Sequence, residues 1–248
     1  MPPVFHSRGC YTFCMAIKLK SSFLYDLPAT FNYPFRGRGR ILLLAGAMTF
    51  WGLILLADLS FVALIPVLFG GCYLSAYMVR AISASAAGEY MPPDWPEFTN
   101  WWDDMLRPML LVLATVLVGF GPALIWGIIS LARWGSLGAG FYLLLIPGAV
   151  YLPMGLLAVA MYDTVDALNP VTVAAAIVRT SPHYLIACGM MAGVLGLGFA
   201  GALVLTAIPW VGSLLAIAMM LYLLLVVANL MGLIYTSFEK ELDWFTMP

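Results

Sequence analysis

Charge is what this chain has least of. Only 9% of its 248 residues are Asp, Glu, Lys or Arg, against roughly 25% in soluble domains. A surface facing water needs polar groups, and too few are present to cover one. With 63% hydrophobic residues and a mean hydropathy of +0.99, most of the chain has to be solvated by lipid. The net charge of -1 provides no basic field to attract nucleic acid, which is not expected as a partner.

Recognisable chemistry is also scarce. The sequence has no Gly-x-x-x-x-Gly-Lys-Ser/Thr phosphate loop and no Gly-x-Gly-x-x-Gly following a strand. It has no Gly-x-Ser-x-Gly elbow and no His-Glu-x-x-His zinc motif. An ATP-driven motor would therefore be a separate chain. Cysteine is sparse. Cys72 and Cys188 lie in apolar runs, where the residue behaves as a small hydrophobe. Cys10 and Cys14, with His6 nearby, are one ligand short of a zinc set and lack its spacing. No metal, no cofactor and no disulfide framework is expected.

What the chain does have is long apolar runs. A helix needs about 20 apolar residues to cross the hydrocarbon core. Six runs qualify: Ile41 to Ala57, Ser60 to Val79, Met109 to Ala132, Leu137 to Tyr162, Tyr184 to Pro209 and Val211 to Phe238. The expected fold is an all-α membrane bundle of six helices arranged as three hairpins. Residues 1–40 form an interfacial N-terminal segment and residues 41–238 the transmembrane domain, with inner segments 81–107 and 163–182. Residues 239–248 form a tail. The first apolar run begins only at Ile41, too late for a signal peptide. Met15, in Met15-Ala16-Ile17-Lys18, offers a second start site.

Basic residues near span ends stay on the cytoplasmic side. With the N-terminus inside, Arg8, Lys18, Lys20, Arg36, Arg38, Arg40, Arg80, Arg107, Arg179 and Lys240 fall inside and only Arg133 outside. Both termini are thus expected in the cytoplasm. The outer face reduces to three tight turns, too little material for a surface receptor or enzyme. On the inner side, Asp94 with Glu97 reads as a capping box opening a short helix. Trp95, Trp101 and Trp102 are expected as interfacial anchors, and Arg36, Arg38 and Arg40 as a basic flank attracting lipid headgroups. Asn169-Pro170 is a cap followed by Pro at the first position of a second short helix, and Ser181-Pro182 repeats the signal.

Within the spans no ionisable residue lies away from the ends. Ion and proton pathways use such residues, so coupled transport is disfavoured. Pro66, Pro122, Pro147 and Pro153 predict kinks that serve packing. Gly189 and Gly193, with Ala192 and Gly196, form small-residue pairs expected to pack against another helix of the bundle. Asp163 and Asp166 are expected on one helix face, where paired carboxylates can hold a metal or move protons; a solvated helix end is the simpler reading. His183 opens the fifth span and reads as a polar flank rather than a haem or pigment ligand. Asn229, deep in the sixth, is expected to hydrogen-bond a neighbouring helix.

Several of these stretches together resemble a family. The run Tyr73-Leu74-Ser75-Ala76-Tyr77-Met78-Val79-Arg80-Ala81, then Gly88-Glu89, Pro93-Asp94-Trp95 and Trp102-Asp103, resembles an uncharacterised family of bacterial six-helix membrane proteins defined only as a domain of unknown function. Asn169-Pro170, and the ending Gly232-Leu233-Ile234-Tyr235 with Trp244, look similar as well. The likeness covers roughly residues 41–245. The layout is also distantly similar to the membrane domain of some glycerophosphodiester phosphodiesterases, without their catalytic domain. The resemblance implies a bacterial inner-membrane protein and carries no catalytic residues.

The function expected is non-enzymatic: an accessory or scaffold subunit packing against another membrane protein or itself, with membrane lipids around it. The alternative is a passive permease-like component for a lipidic or small neutral solute. A third reading is a lipid-processing enzyme using Asp163 and Asp166.

Overall fold

The computed structural model describes residues 27–59, 64–96, 99–181, 183–208 and 211–242. Among them the chain is helical with no strand. The helices are α1 (Gly39–Leu59), α2 (Leu64–Ala86), α3 (Arg107–Trp134), α4 (Ala139–Tyr162), α5 (Pro170–Thr180), α6 (His183–Leu205) and α7 (Val211–Leu242). All but α5 are long and apolar enough to cross a membrane, so the six-span bundle stands.

The largest shift of a span boundary is at the end of the second span. α2 runs past Val79 through Arg80 and stops only at Ala86. Ala81 and Ile82 are fully buried, so packing extends the helix, and Gly88 in the left-handed region (φ +81) turns the chain after it. No helix opens at Asp94. Residues 92–96 are irregular. Pro92, Pro93 and Pro96 fix φ and remove N–H donors, which overrides the capping signal. The helical chain resumes at Trp101, followed by a π-helical turn, Trp102–Leu106, that feeds α3. There Asp104 performs the capping, its Oδ2 accepting from the backbone N–H of Thr99 (3.0 Å) and of Asn100 (2.7 Å).

The helix after Asn169 forms as expected: Asn169 Oδ1 accepts from the Val171 N–H at 3.0 Å, and Pro170 takes the first turn. Ser181, expected to open the fifth span, closes α5 with its N–H bonded to the Ile177 carbonyl, and α6 starts two residues on at His183.

The centre of the bundle is α7, packed against α2, α6 and α1. Ala228 and Ile234 are buried there, while Met154 to Ala160 bury the last turns of α4. Close approach is made by small residues. A Cβ on Gly232 of α7 would meet Ser85 of α2, and a Cβ on Gly148 of α4 would sit 2.7 Å from the Gly119 carbonyl oxygen of α3. Polar side chains tie the same helices. Asn229 Nδ2 donates to Ser85 Oγ at 3.0 Å, and Ser83 Oγ donates to the Ala160 carbonyl at 2.7 Å. Every buried side-chain nitrogen or oxygen among the described residues has a partner, as a lipid-solvated core requires.

Candidate functional site

The conspicuous side chains gather at one end of the bundle, where α1 and α3 begin and α2 and α4 end. Arg36, Arg38, Arg40, Arg80 and Arg107 lie at this basic end. Arg38 approaches Asp94 at 3.8 Å, but both are largely exposed, so the pair contributes little. Arg107 is held more firmly. Its Nη2 lies 2.9 Å from Asp163 Oδ2 and donates to the Asp163 carbonyl at 2.8 Å, joining the start of α3 to the end of α4.

That contact changes the reading of the paired carboxylates. α4 ends at Tyr162 and Asp163 takes φ +52, a left-handed stop, so Asp163 and Asp166 do not share a helix face. Asp166 instead sits exposed in a 3₁₀ turn, Val165–Leu168, at the edge of a cavity of about 260 Å³ with Thr164 and Thr172. Asp163 is committed to Arg107. Among the described residues no group of three or more His, Cys, Asp or Glu is placed to hold a metal. His183 begins α6 with its ring 5.6 Å from that of Phe238. His6, Cys10 and Cys14 lie outside the described residues.

The tryptophans separate. Trp101 and Trp102 stand exposed at the rim, edge to face at 6.0 Å. Trp95 turns inward instead, its ring stacked on Tyr77 (4.5 Å) and Tyr73 (5.3 Å) of α2. Gly46 of α1 admits it, since a Cβ there would come within 2.9 Å of the indole. Trp95 is thus a wedge between α1 and α2 more than a surface anchor. The Tyr73 hydroxyl fixes it by donating to the Pro96 carbonyl at 2.9 Å.

Beyond this wedge α1 and α2 splay. Between them lies a crevice of about 660 Å³, walled by Ala45, Thr49 and Phe50 of α1 and by Pro66, Phe69 and Tyr73 of α2, with Trp95 and Met105 at its rim end. The volume falls in the range of ligand sites. The lining is almost wholly apolar. Ala45, Thr49, Ile65 and Phe69 are exposed along it, so it opens sideways, where acyl chains would lie.

No family model, curated protein or solved structure matches the chain. What the molecule does has to be argued from its own geometry.

The small-residue pairs of α6 are the clearest departure from expectation. Gly189, Ala192, Gly193 and Gly196 are exposed, and Cβ atoms on the three glycines would meet nothing within 4 Å. α6 packs on α7 through its other face, where Ala187 and Met191 are buried, Gly198 meets Leu223 and Gly201 meets Met219. The expected contact within the bundle is made by different glycines, because only one face of a peripheral helix can be covered.

Sequence reasoning missed two groups that carry weight here. Trp95 looked like one more interfacial aromatic. Tyr184 looked like the first residue of a span, yet its hydroxyl accepts from the Met154 N–H (3.1 Å) and donates to the Val150 carbonyl (2.6 Å). Those two backbone groups are i and i+4 partners on α4, beside Pro153, so the hydroxyl of α6 is tied into the ladder of α4 at its proline. Nothing in the sequence named this contact.

Proposed function

We propose that the chain is a non-enzymatic accessory subunit of a larger membrane assembly, seated in the bacterial inner membrane with both ends in the cytoplasm. The observation that carries this reading is the outer face of α6. Only four of the 23 residues of α6 are buried, and Gly189, Gly193 and Gly196 face outward with open space before them. In lipid, helices associate through small residues that let their backbones come close. A face of this kind suits a helix of another membrane protein. The orientation follows from the basic end, which carries Arg36, Arg38, Arg40, Arg80 and Arg107 while Arg133 lies at the opposite end.

The enzymatic reading loses support because Asp163 is tied to Arg107. The alternative, a passive permease-like component for a lipidic or small neutral solute, would be favoured by a continuous polar cavity between the spans, whereas the crevice between α1 and α2 is apolar.

The test is to extract the protein from its own membrane in mild detergent, measure its native mass and identify the chains that accompany it. A stoichiometric second membrane protein is the expected result. A bare monomer or a homo-oligomer would overturn the accessory role.

A further inference from the structure

Next to the crevice between α1 and α2, at the basic end, lies a second cavity of about 380 Å³. Three stretches of chain each contribute neighbouring residues to both. On α2, Tyr73 lines the apolar part, and Ala76 and Arg80 line the rim part on the same helical face. Trp95 and Pro96 are divided between the two, as are Met105 and Asp104. From Tyr73 to Arg80 the axial rise is about 10 Å. An apolar slot open at its side therefore lies within a lipid's length of a polar pocket at the basic end.

The polar pocket holds one charge of each sign. Arg80 is exposed and makes no ion pair among the described residues. Asp104 uses Oδ2 for three hydrogen bonds, from the Thr99 N–H, the Thr99 hydroxyl and the Asn100 N–H. Its Oδ1 takes no hydrogen bond among the described residues and is left for a donor. A phosphate suits an unpaired guanidinium, and a primary ammonium, which carries N–H donors, suits a carboxylate oxygen. A phosphocholine headgroup has no such donor, and a phosphoglycerol headgroup brings no cation.

We propose that this site binds a single phospholipid with a phosphoethanolamine-type headgroup, its acyl chain in the crevice between α1 and α2, its phosphate at Arg80 and its ammonium at Asp104. The site rests on the membrane embedding of the helices, not on the accessory role, and the two stand or fall separately. Bound lipid would fill the space that the splay of α1 and α2 leaves open and fix Trp95 against Tyr73 and Tyr77.

The experiment is native mass spectrometry of the full chain, delipidated and then exchanged with phosphatidylethanolamine, phosphatidylcholine or phosphatidylglycerol of the same acyl composition. Wild type is expected to retain one phosphatidylethanolamine about tenfold more than either other lipid, the scale of one charge-assisted contact. Asp104→Asn, which keeps an amide oxygen for the Thr99 and Asn100 N–H groups, should abolish that preference, whereas Arg80→Gln should lower retention of all three lipids, which loss of a mere topology anchor would not do. Ala45→Trp, filling the slot from its exposed side, should lower retention of all three lipids. Should Ala45→Trp fail to fold, Thr49→Phe fills the same slot from the next turn. Equal retention of the three lipids by wild type, or undiminished retention in the filled variant, would overturn the site.

Discussion

α4 and α6 are alike in sequence and opposite in situation. Both are apolar, both lack charge and both are rich in small residues. Yet nine of the 24 residues of α4 are buried, against four of the 23 of α6. The difference arises from what each glycine faces. Gly148 and Gly155 of α4 lie against Gly119, Phe120 and Thr115 of α3, and only the absence of a side chain permits that approach. Gly189, Gly193 and Gly196 of α6 face open space. Composition therefore says that a helix can pack closely, and the neighbours decide whether it does.

The sharpest way to break this contrast is Gly148→Leu. A Cβ at Gly148 would lie 2.7 Å from the Gly119 carbonyl oxygen, a backbone atom that cannot rotate away. The α3/α4 pair would have to separate, with an expected loss of about 3 kcal/mol in stability, at the upper end for an overpacked core. Unfolding the purified variant in a detergent titration reads the effect. A variant as stable as wild type would mean that the two helices do not approach this closely.

Next in size is the contact by which α6 does reach α4. The Tyr184 hydroxyl bonds both the Val150 carbonyl and the Met154 N–H beside Pro153. Tyr184→Phe keeps the ring and removes both hydrogen bonds from a buried site. The expected cost is about 1 to 3 kcal/mol. The same titration applies, with faster hydrogen exchange at the Met154 amide as its local signature. A loss under about 0.5 kcal/mol would show that the two groups bond each other directly once the hydroxyl is gone.

How much of this could be read beforehand follows from the same contrast. The spans were legible because hydropathy depends on composition over a whole turn. The Asn169 cap was legible because Asn-Pro acts locally, and Asn229 because a lone amide in lipid must find a partner, here Ser85. The capping box at Asp94 failed where three prolines outweighed one cap. The carboxylate pair failed because Asp163 leaves the helix at φ +52, a turn that Arg107 holds from a helix 56 positions away in sequence. The inward turn of Trp95 depends on Gly46, Tyr73 and Tyr77 together. The last two failures lie where a distant partner, absent from any local window, settles the local choice.

The smallest expected effect on stability is also the most telling about α6. Gly193→Leu puts a large side chain where nothing stands within 4 Å, so the isolated chain should change by less than about 0.5 kcal/mol, as surface substitutions do. The same change should abolish co-purification of the proposed partner, because a Leu on that face keeps two backbones apart. Measured side by side with Gly148→Leu, the two glycines should exchange roles: one governs whether the bundle forms, the other whether it finds company. If Gly193→Leu destabilised the isolated chain as much as Gly148→Leu, the outer face of α6 would belong to the chain's own packing. If it left the partner bound, the contact would lie on another face.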